Sequence, residues 1–294
     1  MRVGRFIGRL GVVTMPAIQY GLGLADRVVR RHVAKLQAVG WCERMPAMRG
    51  DGSLVWMTAS GLNGVDLVGL PALRAPDPFS IQTMHTIRVA WAAADIEAAG
   101  HEWKAVRELS LAPDRWGAQV SNERGGKSRQ LPDLVFWPAP DDGLPVAVVV
   151  VHGPPKPRRE WAALEGWKGS IAAGRYARVR YVARPNAARR LEGLAARIGL
   201  TATQFTAGDR AVTGEHPVPA EVIDSLAEAR TSAEATPVAV LDPPEPLLPH
   251  APRPSRPEEP AKTPEQAAER QKLIRELLGQ EEPPARRRWR RRSA

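Results

Sequence analysis

Apolar positions in the first 60 residues recur at helical spacing and are separated by short polar turns. Residues 2–10 (RVGRFIGRL) predict a short amphipathic helix. Thr14 followed by MPAIQYGL predicts a second helix with a capping threonine and a proline in its first turn, broken by Gly21 and Gly23. Residues 25–39 predict a third, longer helix, whose apolar face contains Val28, Val29, His32, Val33, Leu36 and Val39.

The third predicted helix carries a basic face opposite its apolar face. A helix, a tight glycine turn and a second helix with a basic face are typical of a helix-turn-helix. In that motif the second helix enters the major groove with its N-terminal residues at the base edges. The residues expected to contact bases or phosphates are Arg27, Arg30, Arg31 and Lys35.

A β-hairpin is predicted directly after this helix. WCERMPAM and SLVWMT have strand character, and Asp51-Gly52 between them is a strong turn signal. A hairpin in this position is a wing, so residues 1–72 are predicted to form a winged helix-turn-helix. Arg49 at the wing tip is expected to contact the DNA backbone or minor groove. The alternative is the same fold used for protein contacts.

Residues 80–205 predict an α/β domain with a mixed sheet, which makes the whole chain α+β. The segment 146–151 is apolar throughout and is expected to be a central strand buried on both faces. Residues 103–111 fit either a short helix or a strand. The other predicted elements are helices at 83–100, 160–174 and 186–199 and strands at 134–137 and 178–184.

Proline density marks the end of the globular part. Nine prolines fall within residues 236–260, where they prevent a continuous helix or strand, so 206–262 is predicted to be a linker that is proline-rich from 236. Thr263, Pro264 and Gln266 predict a capped amphipathic helix over 263–279.

The final segment, 280–294, is an arginine-rich tail. Six arginines surround Trp289, and Arg286, Arg287 and Arg288 are expected to contact phosphates while the indole stacks on bases. The alternative is a solvated basic end that raises solubility.

Charge and composition narrow the function class. The chain has 42 Lys and Arg against 32 Asp and Glu, a net charge of +10, which points to a polyanionic partner such as nucleic acid. The alternative is a soluble basic enzyme. Cys42 is the single cysteine, which excludes an intramolecular disulfide and suits a reducing cytoplasm. No apolar run reaches the ~18 residues of a membrane span, and no signal peptide is recognisable. Motifs of nucleotide-binding and hydrolase folds are missing from the sequence.

One pattern in the middle segment suggests metal chemistry. Asp133 follows Pro132 before a strand pair, as in the core of the PD-(D/E)xK nuclease fold, in which two acids hold a divalent metal and a lysine assists. The second acid is expected near Val149, yet residues 148–151 are four valines, and Lys156 lies further along. A single carboxylate is a poor site for Mg²⁺. The glutamates that could complete the site are Glu97, Glu102, Glu108, Glu160 and Glu165. The alternative for each is an ordinary surface carboxylate.

Residues 1–205 resemble the replication-relaxation family, found on mobile plasmids of high-GC bacteria. The resemblance rests on RGDGSLVWMTASGL, the helix that contains His85, and the LPDLVFWP…VAVVVV…PKPRRE strand pair. It implies a DNA-binding winged helix fused to a nuclease-like α/β domain. Family members usually have a Val-Glu-Val-Glu-type strand where this chain has Val148 to Val151, so the resemblance implies a degenerate member without nuclease activity.

Three functions are consistent with these observations. The first is a cytoplasmic DNA-binding protein of plasmid replication, transfer or transcription control that acts without catalysis, metal or cofactor. The second is a Mg²⁺-dependent nuclease that uses Asp133 and Lys156. The third is an adaptor that docks a replication or conjugation protein through 263–294. No membrane partner is expected, and a homodimer is an open alternative.

Overall fold

The structure is a computed structural model, and it describes residues 1–46, 53–121, 126–138, 143–151 and 157–211. These residues form a mixed α+β arrangement with a mixed sheet. Among them, no helix combines the length and apolar character needed to cross a bilayer. The predicted linker beyond 211, the helix at 263–279 and the tail at 280–294 lie outside the described residues, as do Arg49 and Lys156.

The N-terminal part is a helical cluster packed on a small antiparallel sheet. The Thr14 hydroxyl accepts a hydrogen bond from Ala17 N–H and begins the second helix, and Gly23, at φ 62°, ends it. The elements are α1 (Arg2–Leu10), β1 (Val12–Thr14), α2 (Met15–Leu22), α3 (Asp26–Ala38), β2 (Cys42–Pro46), β3 (Ser53–Met57) and α4 (Ala59–Gly64). Strand β3 lies between β1 and β2 and is antiparallel to both.

The N-terminal part differs from the sequence prediction at three points. The apolar run 12–14 forms β1, a strand that was not predicted because three residues show no alternation. Gly21 lies inside α2 and does not end it. Val28 and His32 are half-buried, so the buried face of α3 is narrower than its apolar spacing predicted.

The second part centres on a five-stranded mixed sheet in the order β10-β9-β8-β7-β4. Strands β8, β9 and β10 are parallel, whereas β7 is antiparallel to β8 and to β4. The elements are α5 (Ile81–Ala98), β4 (Glu102–Ala105), α6 (Val106–Leu109), α7 (Pro113–Trp116), β5 (Ala118–Ser121), β6 (Lys127–Gln130), β7 (Leu134–Trp137), β8 (Val146–Val150), α8 (Pro157–Ala172), β9 (Arg178–Val182), α9 (Pro185–Ile198) and β10 (Phe205–Gly208).

Strand β8 is the centre of the core, as its apolar sequence predicted. All five of its residues are buried. Ala147 and Val149 pack in the cluster that includes Trp167 of α8 and Leu191 of α9. Because side chains alternate along a strand, the remaining β8 residues face the opposite side of the sheet, where α5 contacts β4, β7 and β8.

Three details of this part differ from the prediction. Residues 103–111 contain both a strand and a helix, β4 and α6. Lys127 and Arg129 lie in β6, which pairs with β5, and neither of these two strands is among the predicted elements. Strand β10 extends to Gly208, inside the range assigned to the linker, because it pairs with β9 and completes the sheet.

Helix α5 joins the two parts. Its Ile87 packs with Val12, Leu54 and Trp56 of the small sheet, and α5 also contacts α1, α2 and three strands of the large sheet. The described residues from Arg2 onward therefore form one compact unit, although sequence analysis placed a domain boundary between 72 and 80.

A buried polar group strengthens the junction. The Asp95 carboxylate on α5, only 6% exposed, accepts hydrogen bonds from Arg210 at 3.0 Å and from Ala211 N–H at 3.3 Å. The same guanidinium donates to the Tyr20 hydroxyl of α2. Asp95 thus joins α5 to the segment after β10, and Arg210 extends this contact to α2. The burial of Asp95 is tolerated because its oxygens are hydrogen-bonded.

The closest approach of α2 and α5 supplies a stability test. A Cβ placed on Gly21 would lie 3.0 Å from Ala94 Cα and 3.3 Å from Phe6 Cε2. We expect Gly21→Leu to lower the free energy of unfolding by about 1–3 kcal/mol, because the larger side chain forces the two helices apart. Urea denaturation of the full-length protein measures the change.

Gly193 of α9 provides the matched control. It is exposed and has no atom within 4 Å of a Cβ placed on it. Gly193→Leu should raise the free energy of unfolding by about 0.5–1 kcal/mol, because leucine has the higher helix propensity. Equal effects of the two substitutions would contradict a tight α2–α5 contact.

Candidate nucleic-acid interface and the Asp133 site

Helix α3 presents one buried face and one polar face. Val29, Val33 and Leu36 are buried, and α3 contacts α1, α2 and β2. Gly23 ends α2 and is followed by only two residues before α3 begins, so the two helices are joined by a short turn. The opposite face of α3 is left to solvent.

The four basic residues predicted on α3 do not have equal environments. Arg27 and Arg31 are exposed and make no hydrogen bond or ion pair with the described part of the chain. Arg30 is also exposed, but its Nε donates to Asp26 Oδ2 at 2.6 Å. Lys35 is half-buried. The N-terminal half of α3 therefore offers the most accessible positive charge.

Asp133 lies at the edge of the large sheet, immediately before β7. Its Oδ1 is 2.9 Å from His85 Nε2 of α5, and its Oδ2 accepts a hydrogen bond from Val150 N–H at 2.7 Å. The carboxylate is 18% exposed. Both oxygens are thus engaged in contacts that join α5 to β8.

The acids proposed to complete a metal site are used elsewhere. Glu97 accepts hydrogen bonds from Arg2 and from Trp103 Nε1. Glu108 accepts from Arg9 and from the Ala105 N–H. Within the described ranges no three His, Cys, Asp or Glu side chains are grouped so that they could hold a metal ion.

The other predicted acids give no ligand cluster either. Glu102 and Glu165 are exposed, on β4 and α8 respectively. Glu160 is half-buried in the first turn of α8, and its burial raises the pKa of its carboxyl. Residues Val148, Val149 and Val150 are buried in the core, where the nuclease pattern requires an acid facing solvent.

No sequence signal indicated that His85 and Arg88 of α5 lie near Asp133 and the end of β8. His85 hydrogen-bonds to Asp133 across 48 positions of sequence, and Arg88 Nη1 donates to Val151 O at 3.4 Å. Arg184 is exposed at the start of α9. The spacing of His85 and Arg88, one turn apart on α5, was visible in the sequence, but nothing there indicated which strand this helix covers.

Comparison with known proteins adds no relative: no family model matches the chain, and neither the search of curated proteins nor that of solved structures finds a match. The likeness to the replication-relaxation family therefore depends on the sequence motifs alone.

The contact between His85 and Asp133 generates a pH prediction. The hydrogen bond to Asp133 raises the pKa of His85 above its ordinary value, against the opposing effects of burial and of Arg88. A raised pKa in the folded state means that protonation of His85 stabilises the fold, and that this stabilisation is lost as pH rises through the raised pKa. We expect His85→Gln to lower the free energy of unfolding by about 1 kcal/mol more at about pH 6 than at about pH 9.

NMR titration of the imidazole checks the cause, because Asp133→Asn should lower the pKa of His85. His32 is the control: burial and neighbouring positive charges lower its pKa, so the pH dependence of His32→Gln should have the opposite sign. A pH-independent cost for His85→Gln would contradict an ion pair with Asp133.

Proposed function

We propose that this chain is a cytoplasmic bacterial protein that binds duplex DNA without catalysis, in plasmid replication, transfer or transcription control. In this proposal residues 1–72 are a winged helix-turn-helix, and α3 is its recognition helix. Two helices joined by a short turn and followed by the β2–β3 hairpin support that interpretation.

The observation that carries the proposal is the outer face of α3. Arg27 and Arg31 are exposed near the N-terminal end of the helix without a partner among the described residues. The N-terminal residues of a recognition helix are those that reach base edges and the flanking phosphates. A guanidinium that forms no intramolecular ion pair can bind a phosphate without first breaking a contact.

The α/β part is proposed to be nuclease-like in fold and to serve as a scaffold and second DNA contact. The order α5, β4, β7, β8, α8, β9, with Asp133 at the start of the hairpin, supports the likeness to the PD-(D/E)xK core. Arg158, Arg159 and Arg184 are exposed where α8 and α9 begin. Because β8 and β9 are parallel, these helix starts lie at the same edge of the sheet as Asp133.

The engagement of Asp133 favours binding over cleavage. A carboxylate that already contacts His85 and Val150 N–H would have to give up these contacts to hold Mg²⁺. The proposed function therefore contains no metal-dependent step, and the partner docked through 263–294 remains a separate proposal.

The test is a fluorescence-anisotropy salt titration of the full-length protein on a short duplex. Removing two phosphate-binding cations should reduce the release of counterions. We expect Arg27→Ala/Arg31→Ala to lower the slope of log affinity against log salt by about 2 and to weaken binding by at least about tenfold at low salt.

The double variant Arg189→Ala/Arg190→Ala removes the same charge from an exposed part of α9 and is the control. It should leave the slope nearly unchanged. Equal losses in the two variants would indicate binding through net charge alone, and salt-insensitive binding by the parent protein would favour the adaptor function.

A further inference from the structure

Arg30 belongs to a hydrogen-bonded chain that crosses the turn between α2 and α3. Its Nε donates to Asp26 Oδ2 at 2.6 Å, and Gln19 Nε2 of α2 donates to Asp26 Oδ1 at 2.5 Å. Asp26 is therefore held by one residue from each helix. Both oxygens of the Asp26 carboxylate accept a hydrogen bond. Because Gln19 restrains Asp26, the hydrogen bond to Asp26 also restrains the Arg30 side chain.

These hydrogen bonds leave one edge of the Arg30 guanidinium free to bind another acceptor. Only Nε is used by Asp26, and Nη1 and Nη2 have no acceptor among the residues that the structure describes. The Arg30 side chain is 60% exposed, and Asp26 is 50% exposed. Two parallel N–H groups thus remain at the tip of the side chain, on the face of α3 that carries Arg27 and Arg31.

This pair of N–H groups has the geometry of a specific base contact. Guanine presents O6 and N7 side by side in the major groove, and a bidentate arginine is the most frequent specific partner of these two acceptors. Arg30 lies one turn into α3, in the half of a recognition helix that approaches base edges. A phosphate contact, in contrast, carries no sequence information, and the neighbouring Arg27 and Arg31 can supply it.

The charge of Asp26 argues for specificity. A carboxylate on a DNA-facing surface repels phosphates and weakens non-specific binding. Asp26 also lies in the first turn of α3, where its negative charge interacts favourably with the helix dipole. That interaction does not require a contact with Gln19 or Arg30. The two contacts restrict the rotamers of Arg30 before DNA arrives, so less conformational freedom is lost on binding.

On the basis of the proposed DNA-binding function, we infer that Arg30 recognises a guanine base in the major groove and that Asp26 and Gln19 orient it. Arg30 is the residue that contacts the base. Asp26 and Gln19 are positioning residues, and Arg27 and Arg31 supply affinity that does not depend on sequence.

The experiment begins with selection of binding sites from a random duplex pool by the full-length protein. Anisotropy then measures affinity for the selected duplex and for duplexes with each other base at the guanine position. The parent protein should prefer guanine by about tenfold or more, and Arg30→Ala should reduce this preference to about twofold or less. The selected duplex is also tested with 7-deazaguanine, which lacks the N7 acceptor, at the guanine position. This change should weaken binding by the parent protein but hardly affect binding by Arg30→Ala.

Two further variants separate the roles of charge and orientation. Arg30→Lys retains the charge and should keep the salt dependence while losing the guanine preference, because an ammonium group cannot donate two parallel hydrogen bonds. Asp26→Ala should bind random duplex at least as tightly as the parent protein but lose several-fold of the guanine preference. The control is Arg189→Ala, an exposed arginine that hydrogen-bonds to Asn186 in α9, and it should change neither quantity.

The outcomes distinguish this inference from the function on which it rests. If the parent protein binds duplex DNA and Arg30→Ala selects the same site with the same guanine preference, recognition by Arg30 is wrong and DNA binding stands. An unchanged preference in Asp26→Ala would overturn the positioning role. Absence of salt-dependent binding to any duplex by the parent protein would overturn both proposals.

Discussion

The packing of α5 against two sheets is the constraint on which the rest of the structure depends. Its alanines at 90, 92, 93 and 94 are buried, and their small size lets α2 approach until Gly21 and Ala94 are in contact. A helix that is apolar around most of its circumference must be covered on several sides, and α5 is covered by α2, the small sheet and the large sheet. The two parts of the chain therefore share one helix.

This sharing has a consequence for the proposed binding of DNA. The hydrogen bonds of Asp95 with Arg210, and of Arg210 with Tyr20, add a polar contact to the apolar one. Arg9 adds another, since it pairs with Glu108 at 2.9 Å and lies over the Trp103 ring. Because α2 leads into the turn before α3, the contacts of α5 with α2 and with the large sheet also support the position of α3.

The Asp133 site illustrates how one strand sequence decides between chemistry and packing. A pair of carboxylates must face solvent or a metal, because burying a charge without a partner is costly. Val148, Val149 and Val150 carry no charge, which allows β8 to be buried at the centre of the sheet. The Asp133 carboxylate contacts His85 Nε2 and Val150 N–H, and these contacts fasten α5 to the sheet edge.

Local patterns determined most of the elements of this protein, since caps and periodicity act over a few residues: Thr14 begins α2, Gly23 ends it, and the valine run forms the central strand. The sequence also placed the arginines of α3 on its polar face. Only the tertiary structure decided that Arg30 is held by Asp26 and Gln19, that His85 reaches Asp133, and that the boundary predicted near 72 lies within one compact unit. These features depend on contacts between residues on different elements, and an isolated segment carries no information about which surface it will cover.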